Sequence, residues 1–202
     1  MRDRRHRLLL GLARRGSEDA FRRLYGELYG PVAGYVAART TPREDAEDLT
    51  SDVFHRFVAR IDRYDPTSGS VLTWLLAMAH NAVVDHHRRR RAHGAARERT
   101  VPVDEMADRL AAASDDPLGR LTRDEDLRDL DRLVRRLPAE TREMFNLRFG
   151  EGLNVREVAT VLGLGEDAVK QRFARALRQI RSELSTTRSR REEGGPACAT
   201  SD

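Results

Sequence analysis

The sequence predicts an all-α protein made of two small helical domains joined by a flexible linker. Three observations carry this. Every strongly periodic segment repeats its apolar residues at helical spacing, and none alternates as a half-buried strand does. Helix starts and stops are written in capping residues, prolines and glycines. Charge divides the chain as well. Residues 1–94 hold 17 Arg against 12 acidic residues, 95–125 hold 5 Arg against 8, 126–184 hold 11 Arg and one Lys against 10, and 185–202 hold 3 against 3. The net charge of +4 over 202 residues is therefore two basic blocks around an acidic one.

In the first block, Ser17 can cap a helix that opens with Glu18 and Asp19 and carries Phe21, Leu24, Tyr25 and Leu28 on one side. Thr41, Pro42 and Glu44 read as a cap, a first helical residue and the far side of a capping box, starting a second helix that runs to about Ile61. The stretch Asp65-Pro66-Thr67-Ser68-Gly69-Ser70 is a loop by composition, and a third helix runs from Val71 into Arg88–Arg91. Pro102, the run Ala111 to Ser114 and Asp116-Pro117 mark the acidic stretch as a linker.

In the second block a helix starts at Asp116-Pro117, Leu137-Pro138 interrupts it, and a further helix carries Met144, Phe145, Leu147 and Phe149 until Gly150-Glu151-Gly152. Asn154 caps a short helix with Glu157 three residues on, Gly163-Leu164-Gly165 turns the chain, and a last helix spans Glu166 to Leu184. The tail has no apolar period and is expected to be disordered. The division is 1–94, first domain; 95–116, linker; 117–184, second domain; 185–202, tail.

Composition excludes several classes. The longest apolar run, Trp74–Ala79, is far short of the roughly 20 residues of a membrane span, and the mean hydropathy is −0.65. Arg14 and Arg15 cut off the apolar run from Leu8 before it reaches the length of a leader's hydrophobic region, so a cytoplasmic protein without membrane insertion is expected. The single cysteine, Cys198, cannot form an intramolecular disulfide. Arg outnumbers Lys 36 to 1. Such a bias suits phosphate and guanine recognition and equally fits a base-composition effect.

The segment 154–184 has the layout of a helix-turn-helix. Val169, Phe173, Ala176, Leu177, Ile180 and Leu184 share one face of its second helix. Gln171, Arg175 and Arg178 point away from that face, with Lys170 and Arg172 on the flanks. Arg reads guanine edges, Gln adenine edges, and Lys170 suits a phosphate. An isolated basic helix is more often a solvated face; the cap, the glycine turn and the spacing together point to DNA.

In the first block Ala46, Leu49, Val53 and Phe57 form a core stripe, and Glu44, Asp45, Asp48 and Asp52 cluster on another face. The helix dipole accounts for the first two carboxylates but not for Asp52, which makes a basic protein partner the expected use. Trp74, Asn81, Asp85 and Arg88 lie opposite the apolar stripe of the third helix. Two readings fit Trp74: an exposed ring that stacks on bases of opened DNA, or a half-buried core aromatic. Arg88–Arg91 is either a phosphate clamp or a solvated helix end. His80, His86, His87 and His93 lack metal-ligand spacing, and neither a phosphate-binding glycine loop nor a nucleophile elbow is found, so no catalytic residue, metal or cofactor is expected.

The runs Asp45-Ala46-Glu47-Asp48-Leu49-Thr50-Ser51-Asp52-Val53-Phe54, Tyr64-Asp65-Pro66, Ser70-Val71-Leu72-Thr73-Trp74-Leu75 and His80–Arg90 come in a specific order. With Leu137-Pro138, Gly152–Ala159, Ala168–Arg172 and Arg175-Ala176-Leu177, they resemble bacterial sigma factors of the extracytoplasmic-function group from about Gly16 to Leu184. The resemblance implies a non-catalytic subunit with two DNA-binding domains, regions two and four, that binds core RNA polymerase, directs it to promoters and helps to open them. It implies that Asp45, Asp48, Leu49 and Asp52 dock on the β′ clamp helices and that region four meets the β flap. It further implies that the loop Tyr64–Ser70, including Asp65, captures a flipped minus-ten base beside Trp74, Asn81, Asp85 and Arg88. Lys170, Gln171, Arg172 and Arg175, with Arg178 on the same face, then read the minus-thirty-five element. An anti-sigma partner is expected. Gly165 stands where the family usually has a capping serine. The rival from another class is a free-standing regulator that binds operators without polymerase.

Overall fold

The computed structural model describes residues 2–92 and 130–193, and the elements found there are helices, with no strand among the described residues. The acidic linker 95–116 and the expected helix start at Asp116-Pro117 lie outside the described residues. Four helices form the first lobe: α1 (Arg2–Arg14), α2 (Glu18–Ala37), α3 (Arg43–Ala59), followed by a short 3-10 turn (Ile61–Arg63), and α4 (Val71–Ala92). The second lobe holds α5 (130–136), α6 (Ala139–Phe145) continuing into a π turn at Asn146–Gly150, α7 (Val155–Leu162) and α8 (Glu166–Glu193).

Helix α2 begins as its sequence dictates: the Ser17 side chain accepts from the Ala20 N–H at 3.3 Å, with Glu18 and Asp19 in the positive first turn. Leu24, Leu28, Val32 and Val36 bury one stripe against Val53 and Phe57 of α3 and against Leu75, Leu76 and Ala79 of α4. Helix α3 departs from expectation. Pro42 is the cap in extended conformation, and no side chain caps the helix, so the Thr41 capping box does not form. The Thr41 carbonyl is instead taken by Arg90 Nη1 at 2.7 Å.

Helix α1 had no counterpart in the sequence periodicity. It buries only His6, Leu9 and Leu10, too few to stand out as a stripe among so many arginines. Its C-terminal Arg14 ties it to the turn after α3, donating to the Ile61 carbonyl at 2.9 Å and the Tyr64 carbonyl at 3.0 Å.

In the second lobe α7 carries the capping box predicted for it: Asn154 Oδ1 accepts from Glu157 N–H at 3.0 Å, and Glu157 Oε2 accepts from Asn154 N–H at 2.9 Å. Gly163 closes the helix at φ 63°, the left-handed conformation that a Cβ disfavours. Helix α8 then buries Val169, Phe173, Ala176 and Ile180. It extends to Glu193 rather than ending near Leu184, so residues 185–193 of the tail expected to be disordered continue the helix, and 194–202 lie outside the described residues.

Candidate nucleic-acid and partner interfaces

The acidic face of α3 separates into two parts. Asp48 and Asp52 are exposed, Asp52 with an i,i+4 contact to Arg56 at 3.7 Å. Asp45 is engaged inside the lobe: its Oδ2 accepts from Arg90 Nη1 at 3.0 Å, and His86 Nε2 stands 3.4 Å away. The sequence placed no histidine beside these carboxylates, and the contact across helices supplies one. Burial holds the His86 imidazole below the usual histidine range, against the pull of Asp45. Leu49 is 6% exposed and belongs to the core beneath this face rather than to its surface. Next to it lies an aromatic ledge the sequence did not single out, in which Tyr25 and Tyr29 pack on Phe54 with ring centroids 4.6 and 5.8 Å away.

The loop between α3 and α4 is ordered by its own polar residues. Asp65 accepts from Thr67 N–H at 2.8 Å, Thr67 Oγ1 at 2.7 Å and Ser68 Oγ at 3.2 Å, and these bonds from Thr67 first hold its carboxyl below the ordinary value. Tyr64 is buried at 5%, its hydroxyl donating to the Gly69 carbonyl at 2.8 Å, so it fixes the loop from below. Ser70 caps α4, its Oγ accepting from Thr73 N–H at 3.1 Å. Trp74 adopts the second of its two readings: it is half-buried between Phe57 and Tyr64, with centroids 5.6 Å away on each side. Further along α4, Asn81 and Arg88 are exposed and Arg88 reaches Asp85 at 3.0 Å. Among the described residues, no three His, Cys, Asp or Glu side chains are arranged to hold a metal ion.

On α8, Gln171, Arg175 and Arg178 are exposed and point away from the buried stripe, as the helical spacing requires. Lys170 pairs with Glu166 at 2.9 Å and lies 3.5 Å from Asp167, and Arg172 pairs with Glu140 of α6 at 2.8 Å. Exposed pairs of this kind hold their partners only weakly. The turn Gly163–Gly165 thus leads into a donor-rich face with three exposed polar side chains and two cations held by carboxylates of the same lobe.

One polar cluster was invisible in the sequence. Glu143 of α6 is placed among three residues of the first lobe. Its Oε1 accepts from the Tyr35 hydroxyl and from Arg39 Nε at 3.2 Å, and lies 3.3 Å from His80 Nδ1. Burial pushes the Glu143 carboxyl up, but the hydrogen bond of His80, the Arg39 charge and the Tyr35 hydroxyl outweigh it and bring it down to about 2. Burial, foremost, drives the Tyr35 hydroxyl far above its ordinary value. Separations of 63 to 108 residues along the chain leave no local signal for such a constellation.

The Sigma-70 region 2 family matches residues 24–93 and the Sigma-70 region 4 family residues 127–180. The ECF RNA polymerase sigma factor BldN of Streptomyces coelicolor is 33% identical over 174 residues, which is 85% of this chain and 63% of BldN. The chain thus spans less than two thirds of that relative. The ECF RNA polymerase sigma factor SigK of Mycolicibacterium vanbaalenii is 30% identical over 179 residues, 88% of this chain and 87% of SigK. Among solved structures, CnrH in complex with the cytosolic domain of CnrY superposes with a TM-score of 0.56 at 24% identity, covering 90% of this chain and 98% of that one. The sigma factor RpoE in complex with the anti-sigma factor NepR from Bartonella quintana gives 0.57 at 18% identity, covering 82% and 96%. Both structures share the fold. Matches to both sigma regions, with a relative 30% identical over most of both chains, identify the chain as a member of the ECF family of RNA polymerase sigma factors.

Proposed function

We propose that the protein binds core RNA polymerase, directs it to a specific set of promoters and assists their opening, acting in the cytoplasm without catalytic activity of its own. In this reading Asp48 and Asp52 contact the β′ clamp helices, while Asp45 and Leu49 hold the α3 face in shape. The second lobe meets the β flap. The loop Tyr64–Ser70 takes a minus-ten base, with Asp65 ordering the loop, Tyr64 and Trp74 supporting it from beneath, and Asn81, Asp85 and Arg88 following the strand along α4. Lys170, Gln171, Arg172, Arg175 and Arg178 read the minus-thirty-five element, and an anti-sigma protein holds the chain in reserve. The observation that carries the reading is the pairing, in one sigma-family chain, of an exposed carboxylate face on α3 with an exposed Arg/Gln face on α8.

The test is promoter binding by the purified protein with and without core polymerase. Specific binding that requires core supports the proposal. Tight specific binding by the protein alone, unchanged when core is added, would favour the free-standing regulator.

A further inference from the structure

Helix α1 ends against the segment that joins α3 to α4. Leu9 and Leu10 bury its inner face in the first lobe, and Arg14, in its last turn, reaches the 3-10 turn at Ile61–Arg63. Its Nε donates to the Ile61 carbonyl at 2.9 Å, and its Nη2 donates to the Ile61 carbonyl and to that of Tyr64, the latter at 3.0 Å. The chain leaves helical geometry at this point, where carbonyls lose their helical partners, and a planar guanidinium serves two of them at once. The Arg14 guanidinium also stands 5.9 Å from the centre of the Tyr64 ring.

Tyr64 carries this grip across the loop. It is buried, its hydroxyl donates to the Gly69 carbonyl at 2.8 Å, and its ring centroid lies 5.6 Å from that of Trp74. Towards the other end of α1, Asp3 and Arg7 pair at 2.8 Å and line a cleft together with Pro66 and Gly69. One helix therefore runs beside the loop from Ile61 to Gly69.

We propose that α1 is a splint for this loop and that Arg14 is a positioning residue for base choice: by fixing the Ile61 and Tyr64 carbonyls it sets the pose in which Tyr64–Ser70 receives an unstacked base. The proposal rests on the assignment of that loop to a minus-ten base made above. Holding the loop before DNA arrives moves the entropy of ordering it from binding to folding. It also sharpens the choice of base, because hydrogen bonds to a base edge discriminate only while their donors and acceptors stay in place. Arg14 acts through the backbone, which distinguishes it from a phosphate contact, whose loss weakens all sequences alike. Helix α1 lies ahead of residues 24–93, the segment matched to Sigma-70 region 2, so this support reaches the loop from outside that segment.

The experiment uses the full chain as holoenzyme with core polymerase, on promoter libraries randomised through the downstream element or the upstream one. Transcripts are sequenced, and the preference at each position is the ratio of yields from the favoured base and from the remaining bases. The parent is compared with Arg14→Ala and with Arg15→Ala, which removes the same charge from the exposed neighbouring position. Circular dichroism and thermal midpoints check folding. The expected result is a several-fold loss of preference at one downstream position in Arg14→Ala, with the other positions and the upstream element unchanged, and the parent profile in Arg15→Ala. An unchanged profile in Arg14→Ala, or a uniform fall in yield for all sequences, overturns the proposal. An equal loss in Arg15→Ala overturns it too, because charge and not the two carbonyls would then be the cause. If Arg14→Ala does not fold, Arg14→Lys, which offers one nitrogen in place of a fork, is judged by the same results. A parent holoenzyme without base preference in the downstream element refutes the minus-ten reading and the proposal with it; a parent preference that Arg14→Ala keeps refutes the splint alone.

Discussion

Replacing Asp45 with alanine should affect folding, whereas replacing Asp48 and Asp52 together should affect binding. Asp45 is 35% exposed in its side chain and accepts a charge-assisted bond from Arg90 at 3.0 Å, with His86 at 3.4 Å. A buried bond to a charged group contributes about 1.5–3 kcal/mol, and partial exposure lowers that. Arg90 also keeps its bond to the Thr41 carbonyl, so it is not orphaned. A loss of about 1 kcal/mol follows, a fall in melting temperature of roughly 4–8 °C for a lobe of this size. Asp48 and Asp52 are exposed, and their loss should change stability by no more than about 0.5 kcal/mol. If each meets one cation on the partner at contact distance, removing both costs at least about 2 kcal/mol of association, near 30-fold in Kd. Urea unfolding and fluorescence titration with core polymerase measure the two quantities. The reasoning is refuted if Asp45→Ala leaves stability unchanged yet weakens core binding as much as the double variant does.

Three further outcomes are expected. Arg175→Ala should weaken recognition of the upstream element by about 1–3 kcal/mol and that of the downstream element far less, read as start-site competition between promoters altered in either element; equal losses contradict base reading. Gly165→Ser should raise stability by a few tenths of a kcal/mol, because the residue preceding Glu166 has an ordinary φ and nothing within 4 Å of a new Cβ; a drop in thermal midpoint would show that the turn needs glycine. His6 is 1% exposed, and burial, ahead of the opposing Glu27 carboxylate, holds its imidazole below the ordinary 6.5. The unfolded chain therefore takes up its proton first, and stability present above pH 6.5 declines as pH falls below it. His6→Gln should flatten that decline in melting temperature between pH 7.5 and 5, and an unchanged slope would remove His6 as its source.

Where the chain carries its own local instruction, the sequence and the structure agree. Ser17 before Glu18-Asp19, Asn154 three residues before Glu157, and Gly163 all sit where their side chains or lack of one require. Trp74 was ambiguous because a lone ring on a helix fits a core edge as well as an exposed face, and only the approach of Phe57 and Tyr64 decides between them. Thr41 misled because a proline in second place starts a helix or precedes it with equal ease, and a distant arginine took the threonine carbonyl. Leu49 and Asp45 match a surface motif by position but are drawn inward by packing and by Arg90. The Glu143 cage joins three helices from both lobes, and no periodicity within any one of them encodes the meeting. Local chemistry is legible in the chain; contacts between lobes are properties of the fold.

The central claim is that this chain gives polymerase its promoter preference. Transcript starts mapped from genomic DNA incubated with core polymerase, with and without the purified protein, test it most directly. The account predicts a discrete set of new starts preceded by a common pair of sequence elements, lost when Asp48 and Asp52 are both reversed to arginine. Starts identical to those of core polymerase alone would contradict it.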